Sequence, residues 1–304
     1  MVYDKKDIIL SNLSRIGKEQ TELLEKQFAH LGELASLLCE EAGEEEIFFR
    51  DPGFAASYAE LMKNVKTVIP EAAVSINTEK TSVVNTSLSA FSRAFVCRRL
   101  TDSLGIRGVQ AAGTYFEDFS ANGNETVSYM QNSYADEAYS RFSDTMTEPK
   151  VMYGHDFSEV CENVYYERSA YCILPIENSS DGRLAGFRRL IMKYGLKTVM
   201  ITRVETLQEG EATVFALAKK NIVVPDREGN KFLELRIKTD DALSTLISAA
   251  DACLMKPVSI SSVPDQPFLY DVVFSVSEEG ICGFLSFLFL EYRDFLVTGF
   301  FGEL

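Results

Sequence analysis

Glu177, Asn178, Ser179 and Ser180 stand in a row and are followed by Asp181 and Gly182. A carboxyl, a carboxamide and two hydroxyls on consecutive residues form a set able to hydrogen-bond a small polar substrate or pass it a proton. Directly upstream, the apolar run Cys172 to Ile176 reads as a short buried strand. Downstream, Leu184, Phe187, Leu190, Ile191 and Tyr194 recur at helical spacing. Ser180 or Asp181 is placed to cap that helix by accepting its first free N–H groups. A polar loop between a buried strand and a helix N-terminus is a natural anion site, because free N–H groups and the helix dipole point at it. Two readings stand side by side. The loop holds a carboxylate ligand, with Glu177 as an acid if burial raises its pKa, or it is a turn that satisfies its own backbone.

Bulk properties narrow the partners. The chain has 304 residues, 46% hydrophobic and 25% charged, enough for two or three folded domains. A formal charge of −15 repels nucleic acid and anionic membranes, so neither is an expected partner. The six cysteines form no C-x-x-C pair and sit among apolar neighbours, which reads as buried reduced thiols. With only His30 and His155 besides, neither a metal nor another cofactor is expected. Met1 to Lys6 lacks an apolar signal core, and the longest apolar run, Ile281 to Leu290, is too short to cross a bilayer. A cytoplasmic protein is expected.

The elements that must position these residues follow from periodicity. Residues 7–41 read as one long helix, with Ile9, Leu13, Ile16, Leu23, Leu31, Leu34 and Leu38 at three- and four-residue steps and Gln20, Gln27 and His30 on the same seam. A second helix carries Phe54, Tyr58, Leu61 and Met62 and ends before Pro70, a loop spans Ser75 to Ser89, and a third helix runs from about Leu88 to Leu104. Between 105 and 220, strands at 109–112, 172–176, 196–203 and 213–219 alternate with helices at 157–166 and 183–194, which argues for an α/β sheet with parallel members. Residues 230–304 read as β-α-β-β-α-β, the order of a ferredoxin-like sandwich.

Several of these stretches resemble one family. Leu174-Pro175-Ile176-Glu177-Asn178-Ser179-Ser180, then Gly182, is similar to the L-P-I-E-N-S-S signature of prephenate dehydratases. Val109 to Tyr115, with Gly113, Thr114 and Tyr115, resembles their opening strand and G-T-Y turn, and Phe157-Ser158-Glu159-Val160 their F-x-x-V helix start. Thr213 and Phe215 match the ends of their T-R-F strand. Residues 1–104 resemble, in outline, a chorismate mutase domain: Leu23 to Leu31 is similar to its L-L-x-x-R-x-x-L helix, and Arg50-Asp51 to the R-D that follows. Residues 230–304 resemble an ACT regulatory domain, with Ser259 to Pro264 like K-I-E-S-R-P and Asp241-Ala242-Leu243 at the ligand-binding G-A-L.

The resemblance implies a bifunctional chorismate mutase–prephenate dehydratase relative of L-phenylalanine biosynthesis, an α+β multidomain chain. Its parts would be a helical region (1–104), one lobe of a prephenate dehydratase, periplasmic-binding-protein-like domain (105–220) and an ACT domain (230–304). Thr213, Glu177, Asn178 and Ser179 would be catalytic. Gly113, Thr114, Tyr115, Ser180, Gly182 and Phe215 would bind substrate, and Asp241, Ala242, Leu243, Ser261 and Ser262 a regulatory ligand. The ligand would be a small carboxylate, prephenate-like or an aromatic amino acid, and the chain a homodimer. The apolar run Phe284 to Leu290 exceeds what one helix face of a small sandwich should bury, which favours assembly. Departures from the pattern point away from catalysis. Leu10, Gln27 and Leu38 stand at the three mutase cations, Val214 at the arginine of T-R-F and Phe116 at the serine after G-T-Y. Only 204–212 separate Arg203 from Thr213, where the family inserts its second lobe. A degenerate binding or regulatory homologue is expected; the alternative is an active dehydratase completed by a neighbouring subunit.

Overall fold

A computed structural model describes residues 5–42, 90–99, 116–118, 125–205, 210–224, 229–240, 242–264, 266–276, 280–292 and 294–304. The expected strand at 109–112, the Gly113-Thr114-Tyr115 turn, the second helix, Arg50-Asp51, the 75–89 loop and Asp241 lie outside the described residues.

The first helix, α1 (Lys5–Ala42), forms where periodicity places it, and a second, α2, covers residues 90–99. A short strand, β1 (Phe116–Asp118), pairs in parallel with β8 (Ile222–Val224) in a small separate sheet. The main sheet carries β2 (Thr126–Tyr129), β3 (Lys150–Tyr153), β4 (Tyr171–Asn178), β5 (Gly182–Arg183), β6 (Lys197–Glu205) and β7 (Ala212–Lys219). Between them run α3 (Ser133–Ser143), α4 (Phe157–Tyr165) and α5 (Ala185–Lys193). The C-terminal part adds β9 (Lys231–Lys238), α6 (Leu243–Ala252), β10 (Lys256–Ser262), β11 (Leu269–Val276), α7 (Ile281–Glu291) and β12 (Phe295–Glu303), the β-α-β-β-α-β order expected from the sequence.

These strands form one continuous sheet, ordered β10-β11-β9-β12-β6-β7-β4-β2-β3, with β5 paired to β4. β3, β2 and β4 are parallel, and β7 is antiparallel to both β4 and β6. The two parts meet where β12 pairs in parallel with β6. Gly299 sits at that joint: a Cβ there would lie 2.9 Å from the Thr198 side chain and 3.0 Å from its carbonyl. A side chain would hold the strands apart, so glycine is what lets them approach.

β4 and β7 are buried on both faces, which explains their nearly unbroken apolar sequence. Tyr171, Ile173, Phe215 and Leu217 pack toward α3, with Ala138 and Phe142. Cys172, Leu174, Ile176, Ala216 and Ala218 pack toward α4 and α5, with Val160, Val164, Ile191 and Tyr194. A third core joins the C-terminal sheet, α6 and α7 to α2 and to Leu31 of α1. Phe284, Leu285, Phe287 and Leu288 are buried in it. α2 lies so close that a Cβ on Gly283 would stand 2.4 Å from the Arg98 Cα. Most of the apolar run that suggested assembly therefore has its cover within the chain, while Phe289 is exposed. The five described cysteines are buried. Among the described residues no helix is long and apolar enough to cross a membrane.

Candidate functional site

The parallel strands β2 and β4 end on the same side of the sheet as the start of β7, and the chain leaves β2 directly into α3. Asn132 caps α3, its side-chain oxygen accepting from the N–H groups of Tyr134 (3.1 Å) and Ala135 (2.9 Å). Asp156 caps α4 by accepting from Glu159 N–H (2.8 Å), and the Glu159 carboxylate accepts from His155 N–H (2.7 Å). α5 begins differently. Its N-cap position is Leu184, with no side-chain cap, so the expected capping by Ser180 or Asp181 does not occur. Instead the chain turns back on itself: β5 pairs with the end of β4, Glu177 opposite Arg183 and Asn178 opposite Gly182. Gly182 adopts φ +67°, a backbone state that a side chain would strain. Leu184 N–H then donates to Ile176 C=O (2.9 Å).

The residues of this hairpin serve the hairpin itself. Asn178 accepts from Asp181 N–H and donates from its amide to the Asp181 carboxylate (2.9 Å). Ser179 Oγ accepts from Ala212 N–H (2.8 Å), and Ser179 N–H donates to Ala212 C=O (3.0 Å), tying the turn to β7. Ser180 and Glu177 are exposed. Of the two readings of the loop, the self-satisfied turn describes the observed hydrogen bonds.

Beside the hairpin lies a cavity of about 290 Å3. Asn178 and Thr213, cross-strand partners, lie on one wall with Phe215 and Pro175. Ile173, Phe157 and Leu184 continue it, and Met130, Asn132, Tyr134 and Ala135 close the α3 side. Openings at the carboxyl ends of parallel strands are the usual ligand sites of α/β sheets. The Thr213 hydroxyl takes no hydrogen bond among the described residues, and no ionisable acid, amine, guanidinium or imidazole lines the cavity. Nearby, burial, then hydrogen bonds with Tyr153 and Asp136, push the Tyr129 hydroxyl well above the usual phenol range, so it remains a donor. Among the described residues no group of His, Cys, Asp or Glu side chains is arranged to hold a metal ion.

Of the expected site residues, the cavity unites Asn178, Thr213 and Phe215. Glu177, Ser179, Ser180 and Gly182 are in the hairpin outside its lining. Ala242 and Ser262 are exposed, and Leu243 opens α6. Ser261 Oγ is held by the Arg183 guanidinium (2.6 Å), which also bonds Ser259. Met130, Asn132, Tyr134 and Ala135 were missed; Asn132 before Ser133-Tyr134-Ala135-Asp136-Glu137 is an N-cap signal that marks this helix start.

No family profile and no curated protein matches the chain. Among solved structures, similar ones include a prephenate dehydratase from Streptococcus mutans, at 15% identity and TM-score 0.47, covering 59% of this chain and 99% of that one. A second is a prephenate dehydratase from Arthrobacter aurescens in complex with L-Phe, at 10% identity and TM-score 0.45, covering 58% and 90%. A third is GqqA, described as a quorum-quenching acylase, at 15% identity and TM-score 0.45, covering 59% and 96%.

Proposed function

We propose that this chain is a prephenate-dehydratase-like binding protein that holds a small ring-bearing ligand and does not dehydrate prephenate. The observation that carries this reading is the uncharged cavity at Asn178, Thr213 and Phe215, beside a hairpin whose Asn178, Ser179 and Asp181 side chains bond within it and to β7. Prephenate carries two carboxylates and loses a ring hydroxyl, so turnover calls for cations and an acid. Val214 stands where the resemblance places the arginine, and exposed Glu177 lies across from Arg183 rather than in the lining. The walls instead suit an aromatic ring against Ile173, Phe157 and Phe215, with the Thr213 hydroxyl meeting one polar group.

In this reading residues 1–104 are a helical region derived from a mutase, 105–220 a single dehydratase-like lobe and 230–304 an ACT-like regulatory domain. The protein works in the cytoplasm as a sensor of a product of aromatic amino acid synthesis. Thermal melting of the full chain with phenylalanine, phenylpyruvate and prephenate tests this. A ligand at a hundred times its Kd stabilises the fold by about 2.7 kcal/mol. We expect phenylalanine or phenylpyruvate to raise the Tm and Thr213→Val to remove the rise. A panel without effect, or a rise that Thr213→Val leaves intact, would contradict it.

A further inference from the structure

The end of the sheet away from the cavity carries a surface of opposite character. There β4 and β6 begin and β7 ends, since Cys172 pairs with Ala218 and Lys197 with Lys219. The segments that meet at this end, residues 162–171, 189–197 and 219–221, hold six basic and two acidic residues, in a chain with 30 basic and 45 acidic. Tyr165 and Tyr166 stand 47% and 60% exposed at the close of α4, ring edge to ring face with centroids 5.1 Å apart. The Arg168 guanidinium lies over the Tyr166 ring, 5.3 Å from its centroid. From the end of α5, Lys193 Nζ lies over the Tyr194 ring (4.7 Å), and that ring meets Tyr165 at 6.0 Å. Arg189, exposed, stands one turn before Lys193 on the same helix face.

This surface is held in place by its own bonds. Glu167 adopts φ +60°, turning the chain out of α4 between Tyr166 and Arg168. Its N–H donates to Val164 C=O (3.0 Å), and the Arg168 N–H donates to Asn163 C=O (2.8 Å). The Arg168 side chain also donates to the buried Asn163 carboxamide (3.1 Å), which donates to Ser128 Oγ (3.1 Å). The two acidic residues of the patch are engaged within it: Lys220 donates to Glu167 (2.7 Å) and Tyr194 to Glu162 (2.9 Å). Among the described residues neither Arg168 nor Arg189 is paired with a carboxylate. Side chains already fixed lose little entropy on binding, and tyrosine and arginine are the types that carry binding energy at interfaces. Cations around two open rings attract carboxylates, and rings meet rings. The formal charge of −15 opposes a long polyanion such as nucleic acid or an anionic membrane. A short acidic segment meets mainly the local positive field, because salt screens the rest.

We propose that the surface around Tyr165, Tyr166 and Arg168 is a docking site for an acidic, aromatic-bearing segment of another protein, independent of the ligand cavity at the other end of the sheet. The probe is a short fluorescein-labelled peptide of glutamates around one tyrosine, titrated with the full chain at low salt and followed by anisotropy. The same peptide with lysines in place of glutamates is the control. The glutamate peptide should bind and the lysine peptide should not. Tyr166→Ala and Lys193→Glu, both at exposed positions, should each weaken binding about tenfold with circular dichroism unchanged. Added salt should weaken it further. Lys256→Glu, which reverses an exposed cation on the distant strand β10, should leave binding as it is. Absence of binding by the glutamate peptide, an equal loss in Lys256→Glu, or tighter binding of an oligonucleotide or of anionic lipid vesicles than of the peptide would overturn the proposal.

Discussion

The cavity beside β4 and the junction beneath α5 lie on neighbouring parts of one sheet and differ in where charge is placed. Among the described residues the cavity's lining offers the Thr213 hydroxyl and no charged side chain. At the junction, Arg188 pairs with Glu234, Arg236 makes two bonds to Asp271 (2.7 and 2.8 Å), and Arg183 reaches Ser259 and Ser261. Burial, then the nearby Arg188 charge, lower the Arg183 pKa, and Glu234, Asp271 and Glu177 oppose that. Among the described residues the Arg188 Nε is buried without a hydrogen-bond partner. A protein that handles dicarboxylates keeps guanidinium groups facing its ligand. Here the junction's arginines join the part that holds the cavity to the C-terminal strands, and the cavity is left to shape and ring contact.

The sharpest way to break this contrast is at Glu234. Glu234→Ala leaves the Arg188 guanidinium without its carboxylate at a site where both side chains are largely buried. We expect a loss of about 3–5 kcal/mol in urea unfolding. Glu234→Leu with Arg188→Met should recover most of it, since an apolar pair avoids desolvating charge. A loss under about 1 kcal/mol for Glu234→Ala would mean that the junction does not hold the two parts together. Arg183→Ala removes two charge-assisted bonds and should cost about 2 kcal/mol, with faster amide exchange in both β10 and the β4–β5 hairpin. Exchange that quickens in the hairpin alone would show that Arg183 does not connect them.

Much of this was legible in the sequence, for local reasons. β4, β6, β7 and the C-terminal elements announce themselves by apolar runs bounded by turn residues. The start of α5 was misread because Ser180 and Asp181 are good cap residues; Gly182 at positive φ instead turns the chain into β5, and the helix opens two residues later without a cap. β2, only Thr126 to Tyr129, is too short to show a period, so α3 and its side of the cavity went unseen. The joining of β12 to β6 depends on pairing across some hundred residues and on close approach at Gly299, which no local pattern encodes. Asn178, Thr213 and Phe215, singled out from the motifs, do line one cavity, but the engagement of Asn178 and Ser179 by their own turn is a matter of geometry.

Two smaller substitutions sharpen the contrast. Ser179→Ala removes the side-chain acceptor of Ala212 N–H, so it should cost about 1 kcal/mol in thermal or urea unfolding and leave ligand binding unchanged. Thr213→Val, at a hydroxyl without a hydrogen bond, should change stability by less than about 0.5 kcal/mol while removing the ligand-induced rise in Tm. A reversal of these two effects would place ligand recognition in the hairpin rather than the cavity.

The most direct measurement is prephenate turnover by the purified full chain, followed as phenylpyruvate absorbance in alkali. An uncharged cavity lacks the contacts that stabilise charge in the transition state, each worth on the order of 3 kcal/mol or about a hundredfold in rate. The expected result is phenylpyruvate at the uncatalysed rate, the same for wild type and Thr213→Val. Formation well above that background, falling in Thr213→Val, would contradict the account and establish a working dehydratase.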